Sequence, residues 1–113
     1  MEIFRLLEES PAVADFEVVD FRTWEEGFYF KIRIKIRDGS LLFAREFFSQ
    51  DERHYSFHWQ DAQGTLLARW DDAPHHRHLP TFPHHKHFRN QIVESWPVNL
   101  SSVLEEIAQT LSP

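Results

Sequence analysis

The chain has 113 residues, 42% apolar and 27% charged, with no cysteine and a formal net charge of −6. Such a composition is globular and long enough for one core without staples, and it excludes disulfides, thiolate nucleophiles and cysteine-type zinc sites. No apolar run is long enough for a membrane helix, and residues 1–9 lack the apolar centre of a signal peptide, so a cytoplasmic protein without membrane contact is expected.

Residues 2–10 carry a weak helical period, Ile3, Leu6 and Leu7, stopped by Pro11; this predicts a short helix or a frayed arm. Residues 13–22 are β-branched and apolar enough for a strand, with Phe16, Val18 and Asp20 on one side. Glu25-Glu26-Gly27 marks a turn. In residues 28–37, Phe28, Phe30, Ile32, Ile34 and Ile36 alternate with Tyr29, Lys31, Arg33, Lys35 and Arg37, the pattern of a half-buried strand. Asp38-Gly39 predicts a two-residue type I′ turn, which sets Ile36 against Leu41, Ile34 against Phe43, Phe30 against Phe47 and Lys31 against Glu46. In that register Arg45 falls on the apolar face opposite Ile32, either snorkelling at an edge or aimed at a site. The row Lys31, Arg33, Lys35 and Arg37 reads as a solvated strand face or as the extension of a phosphate track.

A second hairpin joins residues 53–60 and 65–72 through Asp61-Ala62-Gln63-Gly64, a type I turn ending on glycine. Pairing Gln60 with Thr65 gathers Tyr55, Phe57, Trp59, Leu66, Ala68 and Trp70 on a core face. His54, Ser56, His58, Gln60, Leu67, Arg69 and Asp71 share the other. Residues 73–91, broken by Pro74, Pro80 and Pro83, have no steady period and predict a long ordered loop, with Leu79, Phe82 and Phe88 available for burial. Residues 92–98 give a last short strand. A helix follows, with Leu100, Val103, Leu104, Ile107, Ala108 and Leu111 as its stripe. Its cap is Asn99 or Ser101, or Ser102 with Glu105 as the capping-box acid. The sum is one α+β domain over residues 1–113: an antiparallel sheet of about five strands, a C-terminal helix packed on one face, and a long His-rich loop.

The net charge argues against generic nucleic-acid binding, but it is unevenly spread. Between Ala73 and Val93 there is no acid, while Arg77, Lys86, Arg89 and six of the eight histidines lie there. That window is formally +3 and the remainder −9. The basic patch suits a phosphate, a carboxylate or a metal ion; the acidic remainder suits a basic partner protein.

Pro74-His75-His76-Arg77-His78 and Pro83-His84-His85-Lys86-His87 repeat one pattern. Three readings compete. The first is binding of a divalent metal such as zinc by His75, His76, His84, His85 and His87 beside Asp71 and Asp72. Against it, Arg77 and Lys86 place positive charge inside both clusters, and each adjacent pair of histidines diverges, so that each gives one inward ligand. The second is RNA cleavage by its own 2′-hydroxyl without metal or other cofactor. This needs a base, an acid and a cation for the phosphorane. Tyr55, His58, Asp71, His75, His76, His84, His85, Lys86 and His87 supply the acid–base and positioning groups, and Arg45, Arg69 and Lys86 the phosphate contacts. Asp71 would orient an imidazole. The third is a solvated or purely structural cap. Trp59 and Trp70 read most simply as core.

At Tyr55-Ser56-Phe57-His58-Trp59-Gln60, Trp70-Asp71-Asp72-Ala73-Pro74-His75-His76 and Phe82-Pro83-His84-His85-Lys86-His87 the chain resembles the TumE family of small prokaryotic toxin–antitoxin proteins. His78 lies outside that pattern, and the N-terminal third carries less of it. The resemblance implies the toxin of a two-gene module whose partner is a helix-turn-helix antitoxin. RNA as the target and an endoribonuclease mechanism come from the chemistry above. A non-catalytic metal- or ligand-binding module and a partner-binding protein remain the alternatives, with homo-oligomers open.

Overall fold

The computed structural model describes residues 2–111. In chain order it has α1 (Glu2–Glu9), β1 (Val13–Trp24), β2 (Gly27–Ile36), β3 (Leu41–Ser49), β4 (Glu52–Gln60), β5 (Leu66–Asp71), β6 (His85–Phe88), β7 (Gln91–Glu94) and α2 (Leu100–Leu111). The seven strands form one antiparallel meander in sequence order. The α+β class and the C-terminal helix are as the sequence predicts; the strand number is not. No helix among the described residues is long and apolar enough to cross a membrane.

One face of the sheet carries the core. Phe30, Ile32, Ile34, Ile36, Leu42, Ala44, Phe57, Ala68 and Trp70 are buried there in one cluster with Ile3 and Leu7 of α1 and Leu100, Val103, Leu104 and Ile107 of α2. Strand β6 comes from residues read as loop, and β7 overlaps the short strand expected at 92–98. Phe88 pairs with Gln91 across Arg89 and Asn90, both at positive φ (51° and 62°). That is the backbone of a type I′ turn. His85 and His87 point to one face of β6, Lys86 and Phe88 to the other. The last strand is Gln91–Glu94 rather than 92–98.

Two registers and the facing of one β1 residue differ from the sequence reading. The β2–β3 turn has three central residues, with Gly39 at φ 90° closing it and Ile36 N–H donating to Ser40 O. It is a type I turn with a glycine bulge, not a two-residue turn. The one-residue slip pairs Lys31 with Arg45, Ile32 with Ala44 and Phe30 with Glu46. Arg45 therefore lies on the open face, not opposite Ile32. Glu46 takes the core side, where Arg53 Nε holds it at 2.7 Å. The β4–β5 register is shifted too: Phe57 pairs with Trp70 and Asp61 with Thr65, with an irregularity after Trp59. Up to Trp59 the shift is two, which keeps those side chains on their faces, but past the irregularity Leu66 pairs with Gln60 and lies exposed, so it leaves the expected core set. In β1 a bulge at Val19 sends Asp20 opposite Lys31, away from the side of Phe16 and Val18.

Asn99 caps α2. Its Oδ1 accepts from Ser102 N–H at 2.8 Å, and Ser102 Oγ accepts from Asn99 N–H at 3.0 Å, a reciprocal box with serine in place of the usual acid. Ser101 and the Ser102–Glu105 pair do not serve. Asn99→Ala is expected to cost about 1 kcal/mol, read as a lower urea midpoint at unchanged slope.

Candidate functional site on the open sheet face

The face opposite the helices is built in cross-strand rows. One runs Arg33, Phe43, His58, Arg69, His87 across β2 to β6. Its neighbour runs Lys31, Arg45, Ser56, Asp71, His85. Antiparallel strands stack roughly 5 Å apart, so His58 and His87 flank Arg69 at about two strand spacings.

Hydrogen bonds link the rows. His58 Nε2 faces Gln60 Oε1 at 3.1 Å, and His58 Nδ1 faces Arg69 Nη1 at 3.3 Å. The first contact needs a proton on Nε2; the second needs a lone pair on Nδ1, so the ring is neutral. Arg69 Nε donates to Asp71 Oδ2 at 2.9 Å. Asp71 is buried, and its Oδ1 accepts from Ala73 N–H at 3.0 Å and faces His85 Nε2 at 2.9 Å. His85, 1% exposed, turns Nδ1 to the Pro83 carbonyl at 3.0 Å. His87 Nε2 stands 3.8 Å from Asp71 Oδ2. His76, from the segment between β5 and β6, packs edge-on against His85 and His87, with ring centroids 4.6 and 5.8 Å away.

Toward β2 these groups open on a groove of about 700 Å³ whose lining includes Tyr29, Lys31, Arg33, Phe43, Arg45, His58 and Arg69 and no acid. Acids lie at its β1 rim, where Glu17 pairs with Arg33 and Asp20 with Lys31. The floor is basic in an acidic chain.

The sheet divides the residues that the sequence groups together. His58, Arg69, Asp71, His76, His85, His87 and Arg45 share the open face or its edge. Tyr55 is buried on the core side, its hydroxyl 2.9 Å from His84 Nδ1. Burial pushes the phenol up to about 12, so it donates to a neutral His84. Lys86 also lies on the core side, bonded to Glu106 of α2 at 2.8 Å and above the Trp70 ring. His75 is exposed. His54 pairs with Glu52 and Asp72, not with Arg69 or Asp71. Sequence reasoning missed Gln60 and the Pro83 carbonyl as partners of His58 and His85. Gln60 sits two residues from His58 on the same strand face, and that spacing is the signal that would have found it.

Burial holds His58, His76, His84 and His87 below the usual histidine range, joined by the Arg69 charge at His58 and by the neighbouring imidazoles at His76. The His54 bond to Glu52 raises that ring. An unfolded chain takes up protons near 6.5, before the depressed imidazoles do, so their stabilising contribution is complete above that value and is lost below it. His54 opposes this, but it is an exposed single group. Net stability is expected to fall between about pH 7.5 and about pH 5.5, measured as the urea midpoint at each pH.

The family model described as Toxin TumE matches residues 3–111, which brings in the N-terminal third. No curated protein and no solved structure matches the chain. With the match spanning nearly its whole length, the chain belongs to the TumE toxin family, the toxins of toxin–antitoxin modules.

Proposed function

We propose that this toxin cleaves RNA by metal-independent acid–base chemistry on the open sheet face. The observation that carries the reading is the row His58–Arg69–His87, two imidazoles on either side of a guanidinium, at the end of a basic groove. The groove cations Lys31, Arg33 and Arg45 bind the phosphodiester backbone, and Tyr29 and Phe43 offer faces for bases. Neutral His58 takes the proton of a 2′-hydroxyl. The freed oxygen attacks the adjacent phosphorus, Arg69 stabilises the charge on the phosphorane, and His87, beside the Asp71 carboxylate, protonates the departing 5′-oxygen. The products are a 2′,3′-cyclic phosphate and a 5′-hydroxyl. Asp71 positions Arg69, and His85 fixes Asp71. Tyr55, His84 and Lys86, on the other side of the sheet, have no part in this step. The antitoxin is a helix-turn-helix protein, and the setting is the cytoplasm.

The test is incubation of the purified, untagged protein with a mixed RNA pool in EDTA. Fragments ending in cyclic phosphate support the reading. Intact RNA at every protein concentration, or cleavage only after metal is added, overturns it.

A further inference from the structure

We propose that His76, His85 and His87, with Asp71 as fourth ligand, form a binding site for one divalent transition-metal ion of the zinc class. One ligand atom from each of the three histidines lies within 4.8 Å of the others. Their ring centroids are 4.6, 4.9 and 5.8 Å apart, with the rings turned 71–76° to one another. An ion about 2.0 Å from three tetrahedral imidazole nitrogens holds the rings roughly 5 Å apart, so little movement closes the site.

His85 is already oriented for this role. Its Nδ1 is turned to the Pro83 carbonyl, which leaves Nε2 directed at Asp71 Oδ1, 2.9 Å away. Ligand histidines are ordinarily anchored through the far nitrogen in this way. Two ligands of one tetrahedral ion stand roughly 3.3 Å apart, close to the His85–Asp71 separation. The donors come from β5, β6 and the segment between them, so the ion would tie that segment to the sheet.

The sequence-level objection was the positive charge of Arg77 and Lys86. Their positions in the fold remove it. Arg77 lies over the Phe82 ring, and Lys86 is on the opposite sheet face with Glu106. Arg69 is paired with Asp71 Oδ2, while Oδ1 accepts from Ala73 N–H and keeps a second lone pair for the ion. Each adjacent pair supplies one ligand, His76 but not His75, His85 but not His84. Three imidazoles and one carboxylate select zinc, copper, nickel or cobalt over magnesium or calcium. The ion occupies the nitrogen whose proton His87 would donate as an acid. On the acid–base reading above, metal and RNA cleavage therefore exclude each other, and this one consequence rests on that reading.

The experiment titrates Zn²⁺ into untagged protein against a chromophoric chelator, for wild type, His76→Ala, His87→Ala and the neighbouring controls His75→Ala and His78→Ala, each checked for folding by circular dichroism. One equivalent bound by wild type and both controls, with at least about tenfold weaker binding in His76→Ala and in His87→Ala, is the expected result. Failure of wild type to bind one equivalent, or wild-type affinity in either ligand variant, overturns the site. Addition of Zn²⁺ to the EDTA-free cleavage assay is expected to suppress it. If the protein never cleaves RNA, the catalytic reading fails while the titration still decides the metal site.

Discussion

His58→Ala and His87→Ala are each expected to lower RNA cleavage at neutral pH by about 10²- to 10⁴-fold, the usual size of one lost acid–base group. Both side chains are half-buried on the solvent side of the sheet and outside the hydrophobic cluster. Their removal therefore leaves the fold in place, which a thermal scan checks. The two losses differ in form. Without His58, cleavage should regain rate as the pH is raised and solvent hydroxide replaces the base. Without His87, it should regain rate for substrates whose 5′-leaving group is a good one and needs no proton. Combined, the losses should fall well short of the product of the single effects, because the two groups serve one transition state. A variant at either position with wild-type cleavage and wild-type toxicity in cells would remove that imidazole from the mechanism. Tyr55→Phe is the contrast. It breaks bonds on the core side, to His84 and to the Val98 backbone, and a large loss there would move the chemistry across the sheet.

Much of the fold follows from period-two patterning, and its errors have physical causes. The ten-residue alternation of β2 leaves no doubt about its faces. The next turn carries Asp38-Gly39, whose strongest association is with a two-residue hairpin. Here Asp38 Oδ1 instead accepts from both Ser40 N–H and Ser40 Oγ–H, which stabilises the longer turn with its glycine bulge. One residue of slip moved Arg45 from the core to the groove. In the second hairpin the slip was two residues up to Trp59, which left those side chains on their faces, while the irregularity beyond it turned Leu66 out of the core set. Strand β6 was illegible for another reason. His85, Lys86, His87 and Phe88 alternate by face, but three of the four are polar, so hydropathy shows no period. Its turn, Arg89-Asn90, lacks the glycine that marks most type I′ turns. The site was legible as composition and as a family pattern, not as geometry. The string Phe82-Pro83-His84-His85-Lys86-His87 could not reveal that alternate residues go to opposite faces of a strand. That alternation separates His84 and Lys86 from His85 and His87.

Asp71→Ala is expected to destabilise the domain by about 3 kcal/mol, a fall of roughly 10 °C in Tm for a chain of this size. The carboxylate receives Arg69 Nε and Ala73 N–H and faces His85 Nε2. Alanine leaves all three without it. The loss is unequal. Arg69 has a side-chain exposure of 37%, and water can resolvate it cheaply. The His85 side chain is buried, and water reaches it only if β6 loosens. The cost therefore falls on the packing of β6 against β5, the strand pair that carries His87, and on the backbone entering the segment that carries His76. Asp71→Asn keeps the volume and one acceptor oxygen but turns an N–H₂ toward one of the donors, so it should lose about half as much. Both variants should free the Arg69 guanidinium from its position between the two imidazoles. Cleavage would then fall even at temperatures where the variant is fully folded, and activity measured well below the midpoint separates the two effects. Wild-type stability in Asp71→Ala would mean that His85 is held by Pro83 and packing alone. The buried carboxylate would then serve only the chemistry of the open face.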